Sequence, residues 1–334
     1  MRIRRRRYER HPQLQRRLSR PVISVGNLSM GGTGKTPICG HLAIYLSQIG
    51  EQPSILTRGY KRTDAPDGVV RVNALNLGKF NVSLAQAGDE PMMLARASDG
   101  RASVYVSPDR FLAGRLAEAQ GCTVHILDDG FQHLELARDF DILVTTVGEI
   151  ANGRVIPFGR LREPMDAAAR ADFLIVGGAT AVEAAAEARS LGIARSCGMS
   201  SALFAPVNLQ DRFDRGPSRD VKVLAVAGIA NPERFRTSLM ASGWNVVDLM
   251  AFPDHHPYSS KDLQKIGERL AGTADVVFTT SKDSVKFEAL EAAPFPLYRL
   301  ALLQNFDPAP ALYEAVAAVL GSASAHSGEL RRDS

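Results

Sequence analysis

Short runs of apolar residues alternate with segments whose apolar residues recur at helical spacing along most of the chain. Strands are predicted at residues 21–25, 54–57, 103–106, 123–127, 141–145 and 173–176. Helices are predicted between them at 38–49 and 110–120. Strands that are apolar throughout must be covered on both faces, so the pattern predicts a parallel sheet between two layers of helices.

A second series of elements follows a charged, turn-rich connection that starts near residue 208. Strands are predicted at 221–227, 246–249 and 276–280, and helices at 232–242 and 260–271. We therefore expect two Rossmann-like α/β/α domains, at 21–207 and, smaller, at 208–310. A last helix at 311–320 is expected to rejoin the first domain, and residues 321–334 are expected to be disordered.

The composition is that of a globular protein, with 334 residues of which 45% are hydrophobic and 23% charged. No apolar run reaches the ~18 residues of a membrane-spanning helix, and no apolar region follows the basic N-terminus as in a signal peptide. The cysteines at positions 39, 122 and 197 match no metal-binding spacing, which favours a reducing cytoplasm.

Positive charge is concentrated in an N-terminal arm at residues 1–20, which holds nine arginines and one acid, Glu9. The arm carries +8, whereas the whole chain carries +4, so the fold itself is slightly acidic. Such an arm suits an anionic membrane surface, and a solvated terminus is the alternative. No aromatic residues alternate with the arginines as base stacking would require, so we expect no nucleic-acid partner.

The segment VGNLSMGGTGKTP at residues 25–37 lies between a predicted strand and a predicted helix. It approximates the phosphate-binding pattern G-x-x-x-x-G-K-[ST], but Ser29 occupies the first glycine position. Three glycines and the start of a helix still provide inward-facing amides for an anion. We therefore predict a P-loop NTPase-like first domain whose nucleotide contacts are Ser29, Met30, Gly31, Gly32, Thr33, Gly34, Lys35 and Thr36.

Three further stretches carry candidate chemistry. The strand ILDD ends in Asp128 and Asp129, the arrangement of acids that holds Mg²⁺ in nucleotide sites, and Thr36 would add a hydroxyl ligand. In AGDEP, Asp89 is either a helix N-cap or a general base. In FPDHHPY, His255 lies either in a surface loop or facing a cleft, and its spacing matches no standard zinc site.

Together these stretches resemble the tetraacyldisaccharide 4′-kinases, also called lipid A 4′-kinases. The matching segments run in the family's order from about residue 21 to 286: PVISVGNLSMGGTGKTP, LTRGYKR, AGDEPMMLA, SPDR, LDDGFQH, NGRVIPFGRLREP, VAGIANPERF, FPDHHPY and TTSKDSVK. The family loop itself lacks the first glycine, so Ser29 is a family variant.

The resemblance implies a kinase that uses ATP and Mg²⁺ to phosphorylate the 4′-hydroxyl of tetraacyldisaccharide 1-phosphate. It implies that Asp89 is the base and acts with His255. It places Asp128, Asp129 and Glu163 at the metal, and it implies two α/β domains with the active site between them. We expect a monomer bound peripherally to the cytoplasmic face of the bacterial inner membrane.

One departure concerns the start of the chain, because family members usually begin with an apolar segment that enters the membrane. Here about 20 mostly polar residues precede the first strand. Either the protein docks through its arginine arm, or the natural chain begins further upstream.

The alternative functions make different demands on the sequence. A deviant P-loop ATPase or switch protein that binds anionic membranes would carry a lysine where Met30 stands. A nucleotide-dependent binding module would not need Asp89 or His255, and a kinase acting on another small molecule would keep the same scaffold.

Overall fold

Two sheets organise the chain in the computed structural model, which describes residues 8–329 except 9, 31–33, 60–61, 63, 65–67, 75–79, 151–152, 204, 212–213, 215, 291–292 and 301. The larger sheet contains β1 (Val22–Gly26), β2 (Pro53–Thr57), β3 (Val70–Val72), β4 (Ser103–Val106), β5 (Val124–Asp128), β6 (Phe140–Thr146), β7 (Phe173–Gly177), β8 (Ser196–Leu203) and β14 (Leu302–Asp307). The smaller sheet contains β9 (Val207–Asn208), β10 (Lys222–Ala227), β11 (Asn245–Ala251), β12 (Val276–Thr280) and β13 (Leu297–Leu300).

Helices connect most of these strands. They are α1 (Lys35–Gln48), α2 (Leu84–Ala87), α3 (Asp89–Ala97), α4 (Arg110–Ala119), α5 (Ala181–Ser190), α6 (Pro232–Ala241), α7 (Ser260–Leu270), α8 (Ser281–Phe287) and α9 (Ala309–Glu329). Short 3₁₀ turns lie at Pro12–Leu14 and Met165–Arg170. Across the described part of the chain, no helix combines the length and apolarity needed to span a membrane.

The larger sheet has the strand order β14-β8-β7-β6-β1-β5-β2-β4-β3, and all neighbours from β8 to β4 are parallel. Both faces of β1 are buried, because Ile23 packs with α1 residues such as Leu42 while Val22 packs with α4 residues such as Ala113. The predicted sheet covered by helices on both faces is therefore present. The order reverses at β1, so the carboxyl end of β1 is the switch point at which such sheets bind ligands.

The smaller sheet has the order β11-β10-β12-β13-β9, and only β9 runs antiparallel to its neighbour. The sequence predicts that this unit extends to residue 310. That boundary is wrong, because β14 instead pairs antiparallel with β8 at the edge of the larger sheet. Helix α9 follows β14 and extends to Glu329, so it includes residues 321–329 of the predicted disordered tail. Residues 330–334 lie outside the described residues.

The second half of the predicted N-terminal arm lies on the larger unit. The Arg16 guanidinium donates to both carboxylate oxygens of Asp109 at 2.9 and 2.8 Å, and Arg17 donates to Asp139 at 2.6 Å. Leu18 is buried in the same core cluster as Val22. Two arginines of the arm are therefore already paired with acids of the fold, whereas Arg2 and Arg4–Arg7 lie outside the described residues.

Helices α3 and α8 join the two units, although they follow different sheets. Arg96 near the end of α3 donates to the Ser284 hydroxyl at 2.9 Å and forms an ion pair with Glu288. Val285 of α8 is buried in the main apolar core of the larger sheet. The position of α8 is thus fixed against α3 by a hydrogen bond, an ion pair and an apolar contact.

Gly40 of α1 is expected to tolerate no larger residue, because α3 passes directly beside it. A Cβ atom at Gly40 would lie 2.6 Å from the backbone carbonyl of Ala97, which cannot move without shifting α3. We expect Gly40→Ala to lower the free energy of unfolding by about 1–3 kcal/mol, despite the better helix propensity of alanine. Urea denaturation followed by circular dichroism measures this change.

Gly267 of α7 provides the matched control, since a Cβ there would meet Phe295 at an ordinary 3.5 Å. Gly267→Ala is expected to be neutral or to stabilise the protein by up to about 1 kcal/mol. Equal effects of the two substitutions would contradict the close packing of α1 on α3.

Candidate functional site

The candidate phosphate loop starts at the carboxyl end of β1 and reaches α1, whose N-cap Gly34 has a left-handed φ of 84°. Gly31, Gly32 and Thr33 lie outside the described residues. The beginning of the loop is fixed by a neighbouring segment, since the Met30 amide donates to the Arg160 carbonyl at 2.7 Å and the Arg162 amide to the Leu28 carbonyl at 2.6 Å.

This backbone pairing explains the serine at the first glycine position of the motif. Ser29 is buried and forms an isolated antiparallel bridge with Leu161. A residue in such an extended, paired backbone needs no left-handed conformation, so glycine is not required there. Gly26 is different, because a Cβ at this position would lie 2.7 Å from the backbone nitrogen of Phe131.

Asp129 lies opposite the loop and is paired with two cations. The Lys35 ammonium is 3.4 Å from its Oδ1, and the Arg162 guanidinium donates to its Oδ2 at 2.7 Å. Although partial burial acts in the opposite direction, Lys35 and Arg162 lower the pKa of the Asp129 carboxyl. Thr36 lies half-buried in the first turn of α1, directly after Lys35.

Asp128 precedes Asp129 but has a different environment. It is buried at the end of β5, where it accepts a hydrogen bond from the Thr57 hydroxyl at 2.9 Å and lies 3.8 Å from the Cys39 sulfur. Burial, and then the adjacent charge of Asp129, raise the pKa of the Asp128 carboxyl. A cation placed at this carboxylate would offset the cost of burying its charge.

Glu163, the third predicted metal ligand, is already engaged by a cation. Its two carboxylate oxygens accept hydrogen bonds from Arg170 at 3.0 and 3.1 Å, and Arg170 lies over the Phe131 ring at 4.6 Å from its centroid. Within the described part of the chain, no three acids, histidines or cysteines group as a metal site. The assignment of Glu163 to the metal therefore stays a prediction.

Asp89 and His255 come together from the two units. Asp89 is the first residue of α3, and its Oδ2 lies 2.8 Å from Nδ1 of His255. The N-cap of this helix is Gly88, so Asp89 is not the N-cap that the sequence left as an alternative. The nearby helix N-terminus and the low exposure of the side chain, 9%, both suit a carboxylate held in one orientation.

Lys282, a residue of the smaller unit, contacts the other ring nitrogen of His255. Its ammonium lies 3.2 Å from Nε2 of His255 and donates to Oδ1 of Asp254 at 2.7 Å. Lys282 lies in the family segment TTSKDSVK, which carries no predicted site residue. The Lys282–His255 contact could not be predicted from the sequence, because the two residues follow separate strands of the smaller sheet.

A buried acid fixes the loop that presents His255. The amide of Gly228 donates to Oδ2 of Asp283 at 2.9 Å, and the carbonyl of Gly228 accepts the amide of His255 at 3.2 Å. Asp283 is fully buried and also accepts from Lys286 at 3.1 Å. His255 itself has a left-handed φ of 64°, a conformation that costs energy in a non-glycine residue and is found at functional sites.

Glu90 and Arg110 add two charges that the sequence analysis did not assign. Burial, followed by the charges of Asp128 and Asp89, raises the pKa of Glu90 to about 6. Burial, followed by the charge of Arg58, lowers the pKa of the Arg110 guanidinium to about 10. Acidic and basic side chains with shifted pKa values thus lie close together at the carboxyl edge of the larger sheet. Such groups often cluster at functional sites.

Comparison with known proteins gives consistent results over most of the chain. The model of the family described as tetraacyldisaccharide-1-P 4′-kinase matches residues 1–321. The tetraacyldisaccharide 4′-kinase of Geobacter sulfurreducens is 40% identical over 309 residues, which cover 91% of this chain and 85% of the relative. That of Koribacter versatilis is 34% identical and covers 94% of this chain and 93% of the relative.

A solved structure agrees with these matches. It is described as LpxK from Aquifex aeolicus in complex with ATP, and it superposes with a TM-score of 0.76 at 29% sequence identity. The match covers 95% of this chain and 94% of the other. The predicted two-unit α/β fold with a P-loop domain is confirmed.

Glu90 is expected to make stability fall with increasing pH. Its raised pKa means that the folded protein binds more protons than the unfolded chain between about pH 4.5 and 6, so stability declines over this window. Glu90→Gln removes this decline. We expect the variant to be more stable than the wild type by about 1–2 kcal/mol at pH 7.5, with no such gain at pH 4.5.

Urea denaturation of both proteins in EDTA at several pH values tests this expectation. Glu314→Gln is the matched control, because Glu314 is an exposed glutamate on α9. A constant difference between Glu90→Gln and wild type at all pH values would contradict the assignment.

Proposed function

The chain belongs to the tetraacyldisaccharide 4′-kinase family, and we propose that its active site is the cleft formed by the phosphate loop, Asp128, Asp129, Asp89 and His255. It is a lipid A 4′-kinase, a transferase that phosphorylates the 4′-hydroxyl of tetraacyldisaccharide 1-phosphate. The observation that carries the proposed site is the 2.8 Å contact between Asp89 and His255, at the edge of the sheet where the loop begins.

ATP binds with its phosphates at the N-terminus of α1. The N-terminal end of the helix, with Gly34 as its N-cap, favours the negative charge of the phosphates. The Met30 amide is not available to them, because it already donates to the Arg160 carbonyl. Lys35, now paired with Asp129 at 3.4 Å, moves to the β- and γ-phosphates. The Arg162–Asp129 ion pair remains and holds the second acid in place.

The residues near the loop fit Mg²⁺. Mg²⁺ bound to a nucleotide takes few protein ligands, one or two carboxylates and a hydroxyl, and the rest of its ligands are phosphates and water. Thr36, Asp128 and Asp129 supply such a set, and Asp128 is a buried carboxylate without a basic partner among its hydrogen bonds in the described structure. When bound, the ion neutralises charge that develops on the transferred phosphoryl group.

Asp89 accepts the proton of the 4′-hydroxyl as that oxygen attacks the γ-phosphorus of ATP. Its Oδ2 is held by His255, and its Oδ1 accepts the amide of Glu90 at 2.9 Å, so the carboxylate cannot rotate freely. A fixed acceptor removes the need to reorganise solvent around the departing proton. Asp89 comes from the larger unit and His255 from the smaller, so the base is complete only when the two units are in contact.

The protein acts as a monomer at the cytoplasmic face of the inner membrane, where its lipid substrate lies. The arginines of the N-terminal arm that precede residue 11 provide the charge for peripheral docking on anionic headgroups. Arg16 and Arg17 do not contribute, because Asp109 and Asp139 neutralise them.

Phosphate transfer from γ-³²P-ATP to tetraacyldisaccharide 1-phosphate in detergent tests the reaction and the base. Asp89→Asn keeps the shape of the side chain and its contact with His255 but cannot accept the proton. We expect the rate to fall by about 10²–10⁴. Asp220→Asn, at an exposed acid in the connection between the units, is the control and should retain full activity.

If Asp89→Asn labels the lipid as fast as the wild type does, Asp89 is not the base. A folded protein that binds ATP but labels no lipid would reject the acceptor.

Docking on the membrane is expected to depend on salt and on the arm. Each arginine near an anionic surface contributes about 1 kcal/mol, so replacing Arg4–Arg7 by glutamine should weaken binding to phosphatidylglycerol vesicles at least about a hundredfold. Flotation at low and high salt measures this binding. Lys261→Gln with Lys265→Gln removes exposed charge from α7 instead and should leave binding unchanged, whereas equal losses would indicate non-specific attraction.

A further inference from the structure

The two ring nitrogens of His255 have different partners, and these partners determine where its proton lies. Nδ1 lies 2.8 Å from the Asp89 carboxylate, which in its ionised form only accepts hydrogen bonds. Nε2 lies 3.2 Å from the Lys282 ammonium, which only donates. The single arrangement that satisfies both contacts is a neutral imidazole with its proton on Nδ1 and its lone pair on Nε2.

Lys282 is held at this position by its surroundings. It is the second residue of α8, whose N-cap Thr280 accepts the amide of Asp283 at 3.0 Å. Its ammonium also donates to Asp254 at 2.7 Å, and its side chain is 19% exposed. The lysine side chain is therefore held by its hydrogen-bond partners and is not a solvent-exposed surface side chain.

The charges that face His255 come from three elements. Asp89 approaches from α3, Lys282 from α8, and Asp254 from the loop of His255 itself, at 3.8 Å from Nε2. The neighbouring His256 is directed to Asp262 at 3.2 Å instead. Without Lys282, two carboxylates would face one imidazole, and both would favour the doubly protonated ring.

We propose that Lys282 is a positioning residue that keeps His255 neutral, with its proton on Nδ1, and so leaves the Asp89 carboxylate free to act as the base. This inference rests on the proposed function of Asp89. An imidazolium would bind Asp89 as an ion pair and make it a poorer proton acceptor. In the reaction the hydroxyl proton passes to Asp89, the O–P bond to the lipid forms as the bond to ADP breaks, and His255 keeps its own proton.

Nitrogen NMR of the protein with ¹⁵N-labelled histidine measures the tautomer directly. The chain has seven histidines, so the His255 signals are assigned by their loss in His255→Asn. In the wild type we expect the neutral Nδ1–H form at pH 7. In Lys282→Met, which keeps the length of the side chain without the charge, we expect Nε2 to carry a proton in part of the molecules at the same pH, because the donor that faces it is gone.

The kinetic test uses the same variants. For Lys282→Met we expect the acid limb of kcat/KM to move to higher pH, so that activity falls about tenfold at pH 6.5 and largely recovers at pH 9. KM for ATP should not change. Lys282→Arg keeps a cation that only donates hydrogen bonds, so it should keep both the wild-type tautomer and the wild-type pH profile. Lys265→Met, at an exposed lysine of α7, is the control.

Each other outcome overturns the proposal. An unchanged His255 spectrum in Lys282→Met would show that the lysine does not set the tautomer. A raised KM for ATP with an unchanged spectrum would assign Lys282 to the nucleotide instead. The NMR result does not depend on the identity of the base. Full activity of Asp89→Asn would therefore reject the proposed role of Asp89, and the effect of Lys282 on the His255 tautomer could still be measured.

Discussion

The contact between α3 and α8 is the interaction on which the rest of the site depends. The two helices belong to different sheets, yet Arg96, Ser284 and Glu288 tie them together at one end and Val285 enters the core of the larger sheet. At the other end of the same pair, Asp89 and Lys282 both meet His255. A shift of either helix would therefore separate the proposed base from the residues that orient it.

The two adjacent acids after β5 show how one sheet edge produces two different groups. Asp129 has a left-handed φ of 49°, which turns its side chain toward Lys35 and Arg162. Asp128 stays in the strand, points to Thr57, and is buried. The result is one carboxylate that is paired with two cations of the protein and one buried carboxylate that has no cation among its hydrogen bonds in the described structure.

The N-terminal segment illustrates why charge counted along a sequence overstates what is available at a surface. Nine arginines in twenty residues suggest one continuous basic arm. In the fold, Arg16 and Arg17 serve as structural cations that hold the segment against acids of the larger unit, with Leu18 buried beside them. At least two of the nine arginines therefore serve the fold, and their charge does not form part of a free basic surface.

The sequence by itself determined the buried strands of this protein, and it predicted the phosphate loop, the acids after β5 and the candidates Asp89 and His255. These follow from periodicity and from motifs whose residues are close together in the chain. The sequence did not predict β8, whose small and polar residues form no apolar run, or the return of β14 to the larger sheet.

The family resemblance already implies that Asp89 acts with His255, but only the tertiary structure decided the distances and the other partners of these side chains. Asp89 and His255 are separated by 166 positions, and the partners Thr57–Asp128 and Arg162–Asp129 by 71 and 33. Neither propensity nor spacing encodes such pairs. Thr57 and Asp128 meet because their strands are neighbours in one sheet, and Asp89 meets His255 because the two units pack together. The contacts of His255 with Asp89 and Lys282 are therefore set by the packing of two helices and not by any motif.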